Sequence, residues 1–151
     1  MSAANSAIET ILNAAAERAA AKGLPYAGEL MPQEAYEVLQ QGEFTLVDVR
    51  SLAELELVGR VPNANHVEWA FYPGMLPNAH FAAQLQAQVD KNQSVVFMCR
   101  TGGRSHSAAV VAQQLGYKAY NMLEGFEGAA NEQRQRSLMN GWKHANLPWS
   151  N

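Results

Sequence analysis

The sequence predicts an α/β domain in which a mainly parallel sheet carries helices on both faces. Three observations lead there. "FTLVDV" (44–49) and "SVVFMC" (94–99) are short, β-branched apolar runs bounded by turn-forming residues, as expected of strands buried on both faces. Segments with apolar residues at helical spacing alternate with them, which calls for crossover connections and hence parallel pairing. The chain has 151 residues, 48% of them hydrophobic, enough for one domain with its own core.

The elements follow in order. Residues 1–27 read as an amphipathic helical extension: Ile8, Ile11, Leu12, Ala15 and Ala19 recur at helical spacing, Ser6 and Glu9 have the spacing of a capping box, and Gly23 with Pro25 supplies a stop. Glu9, Glu17 and Arg18 interrupt its apolar residues and it lacks a basic start, so it does not read as an export signal. In 28–151, Pro32 suits the first turn of a helix that turns Ala35, Val38 and Leu39 one way and ends at Gly42. After strand "FTLVDV", Ser51 and Glu54 form a capping box that starts the short helix "LAELEL", and the turn "GRVPNA" follows. A strand "HVEW", an irregular "YPGMLPN" and a helix around "FAAQLQAQV" lead to "SVVFMC". The helix "SHSAAVVAQQLGY" places Ala108, Val111 and Leu115 on one face and stops at Gly116.

Charge and cysteine count narrow the function. A net charge of −3, from 11 basic and 14 acidic residues with no basic run, argues against nucleic acid as a partner. No segment has the length and apolarity of a membrane span. A single cysteine cannot form an internal disulfide, and a free thiol survives best in a reducing compartment, which points to the cytoplasm. His66, His80, His106 and His144 lack metal-ligand spacing, so neither a metal nor another cofactor is expected.

That cysteine, Cys99, ends the strand "SVVFMC", and in parallel sheets ligands bind at the carboxyl ends of strands. The loop "CRTGGR", six residues from Cys99 to Arg104, leads from it to the following helix. Gly102 and Gly103 permit positive φ, so the loop can curl its N–H groups inward as an anion-binding nest beside a helix N-terminus. Arg100 and Arg104 would lower the thiol pKa if they point inward. Nucleophile and anion site are thus expected in one loop.

"LVDVR" with Glu54, "GRVPNA", "VVFMCRTGGRSHSAAVVAQQLGY", "YNMLEGFEG", and finally "GW" with "NLPW" resemble the single-domain rhodaneses, a sulfurtransferase family, from about Leu30 to Trp149. The resemblance implies a five-stranded parallel sheet with helices on both sides, the N-terminal helix standing outside the shared core. It implies that Cys99 takes a sulfane sulfur from thiosulfate or a persulfide donor and passes it to cyanide or a thiol. The loop Arg100, Thr101, Gly102, Gly103, Arg104 and Ser105 would hold the persulfide, with an arginine on the sulfonate end of thiosulfate. Related phosphatases and arsenate reductases carry five residues between cysteine and arginine; here there are four, which disfavours a tetrahedral oxyanion.

Three departures stand out. Arg60 replaces the family's usual histidine, Asn63 replaces a usual glycine, and residues 125–141 form an insertion before Trp142. The insertion is compatible with a lid, a partner surface or a decorated loop. Asp48 and Arg50 are expected to pair structurally, Asp48 with a possible second role in orienting a loop arginine, and Glu54 to cap its helix. Thr101 and Ser105 are equal candidates to donate to the bound sulfur, Ser105 also to cap the next helix. His106, early in that helix, is expected to face solvent. The expected partners are a small anionic sulfur donor and an acceptor that is cyanide or a thiol, a protein thiol included, with the chain a monomer or homodimer. A sulfur-carrier or sensing module remains the alternative to an enzyme.

Overall fold

The computed structural model describes residues 3–151. Its first half runs α1 (Ala3–Ala21), β1 (Gly28–Leu30), α2 (Pro32–Leu39), β2 (Phe44–Asp48), α3 (Leu52–Val58) and β3 (Asn65–His66). A hairpin of β4 (Ala70–Phe71) and β5 (Leu76–Pro77) follows, then α4 (Phe81–Gln88), β6 (Ser94–Met98), α5 (Gly103–Gln114) and β7 (Lys118–Met122). Five strands form one sheet in the order β1-β7-β6-β2-β3, every pairing parallel.

Local chemistry accounts for the helix ends. α1 stops where Gly23 adopts φ 66° and Leu24 N–H reaches back to the Ala19 carbonyl at 2.9 Å, a closure a left-handed residue permits. Ser6 and Glu9 do not form the expected capping box, because the helix already begins at Ala3 and Ser6 lies within it; the Ser6 carbonyl accepts from Thr10 Oγ1 at 3.0 Å. Pro32 does occupy the first turn of α2, and Glu34 Oε1 accepts the Met31 N–H at 2.8 Å. The Ser51–Glu54 box on α3 forms as read, with Ser51 N–H to Glu54 Oε2 at 2.9 Å.

Two apolar clusters cover the two faces of the sheet. Phe81 and Leu85 of α4 and Ala108, Ala109 and Ala112 of α5 pack with Val95 and Phe97 on one. Ala35 and Val38 of α2, Ala15 of α1, Phe126 and Trp142 pack with Val96 and Met98 on the other. The N-terminal helix is therefore packed into this chain's own core, close enough that a Cβ on Gly28 would collide with Ala15. Arg18 fastens it further by paired hydrogen bonds to Glu34 at 2.7 and 3.0 Å.

Two sheet strands were not read individually. β1 has three residues, too few for a pattern, and β7 carries Lys118 and Asn121 within "KAYNM". "HVEW" contributes only His66 to β3, and "YPGMLPN" contains a hairpin rather than irregular chain. Asn63 adopts φ 65°, so the turn keeps the left-handed residue a glycine would supply. The 125–141 insertion has no helix or strand and closes on itself, Trp142 N–H bonding the Gly125 carbonyl at 2.9 Å. Trp142 and Trp149 pin the C-terminal segment. Trp142 is buried and donates to the Pro148 carbonyl at 2.8 Å, and Trp149 lies 3.9 Å from Lys143 Nζ and against Gly59.

Candidate active site

The strand order locates the site. From β2 the chain moves outward to β3, and from β6 outward to β7 on the other side, so the direction reverses between β2 and β6. The crevice at their carboxyl ends is where an open parallel sheet accommodates a ligand. Cys99 is the first residue past β6, and Val49 the first past β2, joined by Val49 N–H to the Met98 carbonyl at 2.9 Å. Asp48, Arg50 and Glu54 follow from β2 and Cys99 to Ser105 from β6, so both families of candidate residues converge.

Cys99 is 1% exposed. Gly102 adopts φ 114°, ψ −9°, a left-handed conformation that curls the chain back toward the sulfur, and its N–H donates to Cys99 Sγ at 3.1 Å. Ser105 Oγ lies 3.3 Å from the same sulfur. Helix α5 begins at Gly103, two residues earlier than its apolar pattern indicates, with Gly102 at the N-cap. That earlier start brings Ser105 into the first turn, buried and facing the sulfur, while Thr101 is exposed at the loop tip. Of the two hydroxyl candidates, Ser105 is the one beside the thiol. The positive end of α5 and the Gly102 N–H make the mouth of this loop receptive to an anion.

The two loop arginines do not both point inward. Arg100 is 45% exposed, with Nε 3.5 Å from Glu127. Arg104 lies back across the crevice, Nη1 and Nη2 each donating to a Glu54 carboxylate oxygen at 2.8 Å. This fork-to-fork pair raises the Arg104 pKa, first through the Glu54 hydrogen bond, against burial, with the charges of Glu54, Cys99 and Asp48 adding to it. In Glu54, burial pushes the carboxyl up, but Arg104 and the Ser51 amide and hydroxyl outweigh it and hold the value at about 2. Glu54 thus does more than cap α3: it ties that helix to the cysteine loop. Asp48 does not orient a loop arginine; it takes Arg50 Nε and Nη2 at 3.0 and 2.7 Å. Arg50 is wholly buried, donates to the Gly59 carbonyl at 2.9 Å and stacks 4.2 Å from the Phe126 ring centre.

Other site-forming residues escaped the sequence reading. Gly125, at φ 73°, passes so close to the loop that a Cβ would overlap the Arg100 carbonyl, and Phe126 N–H bonds the Cys99 carbonyl at 2.8 Å. The signal for them was "YNMLEGFEG", one of the segments that carry the resemblance, which assigned them no role. Asn121 of β7 donates to the Gly102 carbonyl at 3.2 Å. His106 does not face open solvent: it is half-buried, with Nδ1 2.8 Å from the Tyr26 hydroxyl. Trp69 packs edge-on against Phe81, whereas Phe71 and Tyr72 stand exposed on the hairpin.

Comparisons with known proteins agree with this geometry. The rhodanese-like domain family model matches residues 31–132. An uncharacterized protein of Rickettsia prowazekii is 35% identical over 107 residues, covering 69% of this chain and 80% of that protein. The thiosulfate sulfurtransferase GlpE of Haemophilus influenzae is 31% identical over 101 residues, covering 66% and 85%. Among solved structures, Rv0390 from M. tuberculosis superposes with a TM-score of 0.77 at 37% identity, covering 83% of this chain and 98% of that one.

Proposed function

Because this chain belongs to the rhodanese-like domain family, a sulfurtransferase family, we propose that it transfers a sulfane sulfur from thiosulfate to cyanide or a thiol through a persulfide on Cys99. The observation that carries the proposal is the sulfur at the switch point of the sheet, with Gly102 N–H 3.1 Å away and the N-terminus of α5 beside it. The Cys99 thiolate attacks the outer sulfur of thiosulfate. The sulfur–sulfur bond of the donor breaks, sulfite leaves with the bonding pair, and Cys99 keeps a persulfide anion. Cyanide then takes the outer sulfur as thiocyanate and restores the thiolate; a thiol acceptor leaves as its own persulfide. Neither half-reaction changes the number of electrons held by protein and substrates together.

Loop amides stabilise the charge on the outer sulfur. With Arg104 neutralised by Glu54, Arg100 is the arginine available to the sulfonate end of thiosulfate, and Arg104 holds the loop to α3. Four residues between Cys99 and Arg104 leave a small ring suited to a terminal sulfur rather than to a phosphate or arsenate. A free thiol as nucleophile suits a reducing cytoplasm. No described helix is long and apolar enough to cross a membrane.

Intact mass after incubation with excess thiosulfate and desalting tests the proposal. The wild type is expected to gain one sulfur, about 32 mass units, discharged by cyanide, and Cys99→Ser none. A reactive Cys99 that takes no sulfur from thiosulfate but does from a protein persulfide would replace the enzyme by a sulfur carrier.

A further inference from the structure

Asn121 presents an unusual arrangement immediately behind the cysteine loop. It is 3% exposed, on β7 between β1 and β6, and its Nδ2 donates to the Gly102 carbonyl at 3.2 Å. That carbonyl is an acceptor only, so the amide must turn its NH2 toward the loop. Oδ1 then points elsewhere, buried and without a hydrogen-bond partner among the described residues. Burying an unpaired carbonyl oxygen is unfavourable, so an apolar residue would serve the sheet better at this position. What sets asparagine apart here is the half of the amide that reaches the loop.

Gly102 is the pivot of that loop. Its N–H meets Cys99 Sγ at 3.1 Å, and its left-handed φ of 114° separates the peptide on that side from the one it shares with Gly103. In the trans Gly102–Gly103 peptide, C=O and N–H point in opposite directions. Drawing the carbonyl toward β7 therefore turns the Gly103 N–H away from β7. A second restraint comes from α5, whose His106 N–H also donates to the Gly102 carbonyl at 3.2 Å; the His106 ring is fixed by Tyr26, which precedes the family-matched region and lies near Asn121.

We propose that Asn121 is a positioning residue for sulfur transfer: by holding the Gly102 carbonyl it orients the Gly102–Gly103 peptide so that Gly103 N–H faces the outer sulfur of the persulfide, beside the Gly102 N–H that already meets Cys99 Sγ. The catalytic consequence rests on the sulfurtransferase reading; the orientation of the peptide does not. Asn121 touches neither sulfur and acts only through the backbone.

The test uses the full chain with Asn121→Leu, which keeps volume and loses the donor, and Asn121→Val, which suits a buried strand and also loses the donor. Amide ¹H–¹⁵N spectra of the reduced proteins report the peptide directly, and steady-state kinetics with thiosulfate and cyanide report its use. The expected result is displaced Gly102 and Gly103 resonances with the remaining sheet unchanged, and in whichever variant folds a kcat about tenfold lower, with KM for thiosulfate within about twofold. Gly102 and Gly103 resonances that superimpose on the wild type, or a kcat that is unchanged, would overturn the proposal. If the wild type itself fails to turn over thiosulfate, the sulfurtransferase reading fails, while the amide resonances still decide the positioning.

Discussion

Replacing Glu54 by glutamine removes one charge at the junction between α3 and the cysteine loop and leaves the side chain's size unchanged. In the wild type, both carboxylate oxygens are engaged by Arg104 at 2.8 Å, and Oε2 also accepts from the Ser51 amide and hydroxyl at 2.9 Å. A carboxyl held at about 2 rather than the ordinary 4.5 corresponds to an upper bound of about 3 kcal/mol of folding free energy. The two side chains remain 20% and 21% exposed, and solvent screening brings the expectation to about 1–2 kcal/mol at pH 7. For a depressed acid this contribution is complete above the unfolded value and is lost as pH falls from about 4.5 through 2; roughly half is gone by pH 3. Urea unfolding of wild type and Glu54→Gln from pH 7 to pH 3 measures it: the stability gap should be present at pH 7, flat down to about pH 5, and narrow below that. A gap of the same size at pH 3 and pH 7, or none at pH 7, would refute the assignment of the charge to this pair.

Two further outcomes follow from how the arginines are held. Arg100→Ala should raise KM for thiosulfate about fivefold, as loss of one exposed charged contact does, with a neutral persulfide donor hardly affected; Arg104→Ala should slow both donors equally, and the reverse pattern in paired kinetics would exchange the two roles. Arg50→Met should destabilise the fold by about 3–5 kcal/mol, because it strands the buried Asp48 carboxylate. Adding Asp48→Asn should recover a large part of that in urea unfolding, and no recovery would place the cost in the lost Phe126 stacking instead.

The readable parts of this molecule were those encoded over a few consecutive residues. "FTLVDV" and "SVVFMC" are buried on both faces and declare themselves as strands, and the Ser51–Glu54 box closes within one helical turn. Cys99, Gly102 and Ser105 lie within seven residues, so their assembly around a sulfur followed from the strand–loop–helix setting. β7 was obscured by Lys118 at its edge and by Asn121, a polar residue whose partner is a carbonyl 19 positions away. The capping box assigned to Ser6 and Glu9 had the right spacing in the wrong place, since helix propensity carries α1 back to Ala3.

By itself, the sequence determined the class of the fold, the candidate cysteine and the short loop around it, because periodicity, turn chemistry and loop length act locally. Tertiary structure decided which charges face one another. Arg104 turned from a substrate arginine into the partner of Glu54 fifty positions away, Asp48 was claimed by Arg50, and Arg100 was left partly free at the mouth. Those choices depend on distances across the crevice between β2 and β6, and such distances exist only once the parallel sheet has brought the two strand ends together.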